Sequence, residues 1–142
     1  QERAHTEQSF FVDKKEIVDN GYDLSINKYK KTEYVAVDIG LIGPDYDGDE
    51  FKVSICAKDA AAPYDYDLTN RLIGYAEKAG CDYAVDIFYR YGTDANAALK
   101  AGNDLRAAAF GMAVYCSHGM ERTHIKGLEN TANLLLAYVL DI

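Results

Sequence analysis

Tyr34-Val-Ala-Val-Asp38, followed by Ile39 and Gly40, is the stretch on which the fold turns. It is a buried-strand pattern that stops at a carboxylate and then at a glycine, so Asp38 is expected at the carboxyl end of a strand. Ligands of open α/β sheets collect at that edge. Further along, Phe51, Val53, Ile55 and Ala57 alternate with Lys52, Ser54 and Cys56, a period of two that predicts a second strand. Leu68, Leu72, Ile73, Tyr75 and Ala76 recur at helical spacing before Gly80, which supplies a stop. Tyr83 to Tyr89 reads as a strand, Asp94 to Ala101 as a short helix, and Ala107 to Val114 as a buried strand interrupted by Gly111. The last helix runs from about Gly127 to Leu140, and its expected buried face carries Leu128, Ala132, Leu135 and Val139. Upstream, Ser9 to Val12 is a short aromatic and β-branched run, and Glu16 after it reads either as an exposed residue beside Lys14 and Lys15, the favoured reading, or as the point where a strand opens into a loop. Alternating strands and helices without a repeat or linker indicate an α/β layer fold.

The chain has 142 residues, enough for one domain that buries roughly two-thirds of its unfolded surface. Its longest apolar stretches, Ala107 to Cys116 and Leu134 to Leu140, are too short to cross a bilayer, and no signal-peptide pattern opens the sequence. A formal net charge of -8 disfavours nonspecific binding to nucleic acid or to an anionic membrane. Much of that charge is local: between Asp38 and Asp67 there are eight acidic residues against Lys52 and Lys58. Such a stretch is either a solvated rim or an attractor for metal ions and cationic groups. Cys56, Cys81 and Cys116 are odd in number, widely spaced and each in an apolar context, and they read as reduced core thiols of a cytoplasmic protein.

Chemistry is concentrated at Ser117-His-Gly-Met-Glu-Arg-Thr-His124, immediately past the buried strand. Imidazole, carboxylate and guanidinium beyond a strand end can form a site on a rigid edge, or a hydrogen-bonded loop that caps the next helix through Thr123 or Thr131. Asp38 and His118 supply oxygen and nitrogen donors suited to zinc, cobalt or manganese, although two donors do not complete a site. Lys58-Asp59 either forms an ion pair at the strand end or ends the strand in solvent. Tyr91-Gly-Thr-Asp-Ala95 is a strand-to-helix junction whose functional role would be to line a pocket. Phosphate-binding glycine loops and serine-nucleophile elbows are missing, which removes most of the weight from nucleotide binding and serine hydrolysis.

Taken in order, Tyr34-Val-Ala-Val-Asp-Ile-Gly40, Val53-Ser-Ile-Cys-Ala-Lys-Asp59, Tyr91-Gly-Thr-Asp-Ala95 and Ser117 to His124 resemble the glutamyl and deblocking aminopeptidases, over roughly Glu33 to the C-terminus. These are co-catalytic metallopeptidases that often assemble as tetrahedral dodecamers. The resemblance implies a three-layer α/β/α fold with a mixed sheet, the C-terminal part of a zinc-exopeptidase-like catalytic domain extending over residues 1–142. It implies an aminopeptidase that removes N-terminal residues from peptides with two divalent metal ions, zinc or cobalt, or a C-terminal fragment of one. Asp38 would bind one metal and His118 the other, with Thr93, Asp94 and Gly119 lining the substrate pocket. A pair of adjacent glutamates, general base then ligand, is expected a little over twenty residues before the aspartate, where this chain has Lys15-Glu16. Glu16 then serves as ligand or catalytic residue, whereas an ammonium has no lone pair with which to take a proton at neutral pH. The family's other ligands, a histidine and a bridging aspartate, lie upstream in a longer, homo-oligomeric chain, so the ligand set here is incomplete. The alternative is a non-catalytic relative that retains the fold for assembly or peptide binding.

Overall fold

A computed structural model describes residues 12–23 and 32–142. The chain divides into two compact units, Gln1–Thr32 and Glu33–Ile142. In the first, Lys14–Asp19 forms a six-residue helix, α1, capped by the Asp13 carboxylate, which accepts from the Lys15 amide at 2.7 Å. Most of the Ser9 to Val12 run lies outside the described residues.

The second unit carries the sheet. Its strands are β1 (Glu33–Val37), β2 (Gly40–Leu41), β3 (Val53–Asp59), β4 (Tyr83–Phe88) and β5 (Arg106–Val114), in the order β1-β5-β3-β4 with β2 continuing beside β5. β1 and β2 run parallel to β5, β4 runs parallel to β3, and β3 and β5 are antiparallel, so the sheet is mixed. β5 is central because residues 107–109 are alanines, buried on both faces, that leave room for the layers above and below.

The pleat divides the core in two. Val53 and Ile55 of β3, with Ala108 and Phe110 of β5, face α2 (Tyr66–Lys78) and α4 (Ile125–Leu140), where Leu68, Leu72, Tyr75 and Leu134 complete one cluster. Cys56, Ala107, Ala109 and Phe88 point the other way, toward Tyr64 and Ala95 of α3 (Asp94–Lys100). Helices on both faces of a mixed sheet give the expected three-layer α/β/α architecture.

Local chemistry sets the boundaries. Asp65 caps α2 by accepting from the Leu68 amide at 2.8 Å, and Gly80 beyond that helix has a φ of +66°. His124, and neither threonine considered from the sequence, caps α4: its Nδ1 accepts from the Lys126 amide at 3.1 Å while its ring packs against Phe51 at 4.7 Å. Thr131 is inside the helix, donating to the Gly127 carbonyl at 2.8 Å.

The buried stripe of α4 differs from the expected one. Gly127, Thr131, Leu134 and Ala137 face the sheet, whereas Leu128, Ala132, Leu135 and Val139 are exposed. The period is right and the phase is off by one residue. Residues 134–140 are apolar around the whole helix, so the pattern alone leaves the rotation undecided. Close approach decides it: a Cβ on Gly127 would lie 2.5 Å from the Glu50 carbonyl oxygen, so the small residues go inward.

Candidate active site

Asp38 follows β1 directly, and its amide continues the ladder by donating to the Phe110 carbonyl at 3.0 Å. Next to it, Gly111 continues β5 without interrupting it. An added Cβ at Gly111 would lie 1.5 Å from the Asp38 carbonyl oxygen, so this glycine is what lets the Asp38 backbone settle onto β5. Gly40 plays a similar part, with an added Cβ 2.6 Å from that of Ser54. The Asp38 carboxylate turns back on its own chain, where Oδ1 accepts from the Ile39 amide at 2.8 Å.

Asp38 borders a small crevice shared with Ser54, Cys56, Tyr91, Thr93 and Gly111. The Tyr91 hydroxyl is buried in it and makes no well-formed hydrogen bond among the described residues. Burial first, and the neighbouring Asp38 carboxylate second, push its ionisation far up. Burial, with Asp59 adding to it, pushes the Cys56 thiol up to about 12, so this cysteine is a protonated core thiol. Asp94 faces an open groove along β1 that ends at Asp38.

His118 follows β5, the parallel neighbour of β1, so both donors lie past the carboxyl ends of adjacent strands. Tyr115 and Arg122 pair across the base of a turn, with the guanidinium 4.9 Å from the tyrosine ring centre. Within the turn Cys116 and His118 adopt left-handed backbone angles, φ +55° and +64°, and Glu121 accepts from the His118 amide at 3.0 Å. Such angles are uncommon away from glycine and concentrate at functional turns. His118 and Gly119 are exposed, and so is Cys116, which stands in the turn past the strand and is not the core thiol expected of it.

Glu16 follows the exposed one of its two readings: it lies in the first turn of α1, in solvent, and not at a strand opening. Lys15 is exposed beside it. Among the described residues no three His, Cys, Asp or Glu side chains come together as a metal site requires.

Neither reading of Asp59 offered by the sequence holds. It is neither solvated nor ion-paired through its carboxylate: it is fully buried, and the Lys58 ammonium donates to its backbone carbonyl at 3.1 Å. Burial raises its ionisation, but the neighbouring Asn96 side-chain amide and the hydrogen bonds from Ala61, Ala62 and Tyr64 outweigh burial and hold the carboxyl below the usual range. Asp86 is a second buried acid, accepting from Ser54 at 2.7 Å and from the Asp47 amide at 2.8 Å, and it pins the acidic loop to the sheet. Part of the negative stretch is therefore structural. An aspartate near a strand end carries no signal in sequence that separates a buried acceptor from an exposed charge.

The fold is an α/β/α layer with a mixed sheet, and comparison with known proteins defines the family. A family model for M42 glutamyl aminopeptidases matches residues 4–134, and the chain belongs to that family. It is 49% identical over 107 residues to a Bacillus subtilis (strain 168) protein named "Putative aminopeptidase YhfE", covering 75% of this chain and 31% of that protein. Among solved structures it resembles the dodecameric PhTET1-12s, with TM-score 0.68 and 21% identity over 82% of this chain and 36% of that one. It also resembles the Pyrococcus horikoshii TET1 peptidase, described as a tetrahedron or a large octahedral shell, with TM-score 0.66 and 23% identity over 75% and 32% of the two chains. A TET aminopeptidase from a marine sediment Thaumarchaeota archaeon gives 0.62 and 15%, over 77% and 32%. The chain thus spans about a third of the length of the proteins it matches. The M42 family is one of metal-dependent peptidases.

Proposed function

We propose that this chain is the C-terminal part of a metal-dependent aminopeptidase catalytic domain, with peptides as substrates and zinc or cobalt as the ions. Asp38 supplies a ligand to one metal and His118 a ligand to the other, while Thr93, Asp94 and Gly119 border the place of the substrate. The observation that carries this reading is the placement of Asp38 and His118 past the carboxyl ends of two adjacent parallel strands, inside the segment matched to the family. When bound, paired metals polarise the scissile carbonyl and acidify a water. The residues present fit that role only in part, since two donors fall short of the three or more each metal needs. By the family resemblance Glu16 would be a further ligand or base, and an ammonium side chain at position 15 does not replace a carboxylate base. Homo-oligomeric assembly is supported by the assemblies of the structural relatives. A cytoplasmic location is supported by three unpaired cysteines.

Lys15 supports a second reading, a non-catalytic member of the family used for assembly or peptide binding. Purified chain assayed with added zinc or cobalt on aminoacyl anilides, with metal content read by mass spectrometry, tests both. Weak metal binding that falls further in Asp38→Asn and in His118→Ala, with little or no turnover, is expected of a partial ligand set. Two tightly held metals and chelator-sensitive turnover would place the ligands and base elsewhere. Metal binding indifferent to both substitutions would remove Asp38 and His118 from the site.

A further inference from the structure

The two carboxylate oxygens of Asp59 join the turn after β3 to a second piece of chain. Oδ1 accepts from the Ala61 and Ala62 amides at 2.7 and 3.2 Å and closes the turn after β3. Oδ2 accepts from the Tyr64 hydroxyl at 3.0 Å and from the Thr93 amide at 3.2 Å, reaching the loop between β4 and α3. The direction of the protons follows from the chemistry. An ionised carboxylate only accepts, so Tyr64 donates its one proton to Asp59 and must accept from the Thr93 hydroxyl, 2.5 Å away. The same turn holds the loop once more, through the Ala60 amide, which donates to the Tyr91 carbonyl at 2.8 Å. Residues 91–93 are thus tied at three points to a turn organised by one buried acid.

What those residues carry is the far wall of the Asp38 crevice. Tyr91 rests edge-on against Phe88, ring centres 5.6 Å apart, with its buried hydroxyl on the crevice that Asp38 borders. A buried hydroxyl without a well-formed protein bond costs stability, so its placement calls for a role other than holding the core together. We propose that Asp59 is a positioning residue for the Asp38 site: by clamping residues 91–93 to the turn after β3, it fixes the buried Tyr91 hydroxyl in the wall of the crevice that Asp38 borders and so shapes the space open to that carboxylate. The consequence for metal binding rests on Asp38 being a ligand, as proposed above; the positioning itself does not. Partners of this kind around ligating carboxylates typically change metal affinity by about 10- to 100-fold.

The Ile39 amide donates to Asp38 Oδ1 and so reports on that carboxylate. Nuclear magnetic resonance on the metal-free 142-residue chain should compare wild type with Asp59→Asn and Tyr91→Phe. Asparagine replaces one acceptor oxygen with a donor that faces other donors. Expected is a shift of the Ile39 amide in both variants, with Thr93 amide exchange in Asp59→Asn faster by about tenfold or more relative to Ile55 in the core. Uniformly faster exchange with an unmoved Ile39 signal would show Asp59 to be a stability element alone and overturn the proposal. Should Asp59→Asn fail to fold, Tyr64→Phe removes only the bridging hydroxyl and is read the same way. A separate zinc titration distinguishes the two proposals. An Ile39 signal that answers to the variants but not to zinc would leave the positioning role standing and sink the metal assignment.

Discussion

Substituting Gly111 by alanine tests the site and the fold together. The added Cβ would lie 1.5 Å from the Asp38 carbonyl oxygen, 2.7 Å from its carbon and 3.4 Å from its nitrogen. All three atoms are backbone, so no side-chain rotation relieves the clash. Restoring an ordinary contact requires the Asp38 peptide to move by about 1.5 Å or more, which stretches its 3.0 Å hydrogen bond to Phe110. Overpacking of this kind costs about 1 to 3 kcal/mol and a lost backbone hydrogen bond about 1 kcal/mol. The reduced freedom of the unfolded chain returns about 0.4 to 1 kcal/mol, for a net loss of about 2 kcal/mol. For a chain of this length that is a fall of roughly 6 to 8 °C in Tm, read by calorimetry or circular dichroism. Gly74→Ala is the control, because it lies in α2 with nothing within 4 Å of its added Cβ. It should stabilise by about 0.5 to 1 kcal/mol. A Gly111→Ala chain as stable as wild type, with the Ile39 amide unmoved, would refute the claim that Asp38 rests directly on β5.

On α4, Leu134→Ala should cost about 2 to 5 kcal/mol because Leu134 is fully buried, while Leu135→Ala should cost well under half as much; urea midpoints compare them, and equal losses would contradict the observed rotation of the helix. The depressed Asp59 carboxyl stabilises the fold above its unfolded pKa of about 3.9, and that contribution is lost as pH falls through the lower folded value. The stability gap between wild type and Asp59→Asn should therefore be full near neutrality and close below about pH 4. Cys56 acts on the alkaline side: with a folded value of about 12 against about 8.5 unfolded, its contribution is intact below about 8.5 and declines as pH rises toward the folded value. A thiol reagent at neutral pH should find one fast cysteine, the exposed Cys116, and two slow ones, Cys56 and Cys81; three fast thiols would mean an open core.

Much of the sheet was legible because its strands carry local signals. Tyr34 to Val37 and the alternation around Val53 and Ile55 lie in strands, and the Asp94 and Tyr66–Lys78 helices fall close to where caps and periodicity place them. Those signals come from residues next to one another in the chain, as do the four ordered motifs through which the family resemblance was read and which the family match bears out. The sequence by itself therefore determined the α/β class, the family and the strand end at which Asp38 stands. Only tertiary structure decided the rest. The rotation of α4 depended on a Gly127 contact with Glu50, 77 positions earlier in the chain, and the cap on that helix on a histidine that also packs against Phe51. The buried state of Asp59 depended on donors from Tyr64 and Thr93, and the role of Gly111 on the Asp38 peptide, 73 positions away. A hydrophobic period constrains which elements form, because it is a property of one segment. Which face turns inward, which acid is buried and which glycine is indispensable are set by atoms that meet only after the chain has folded.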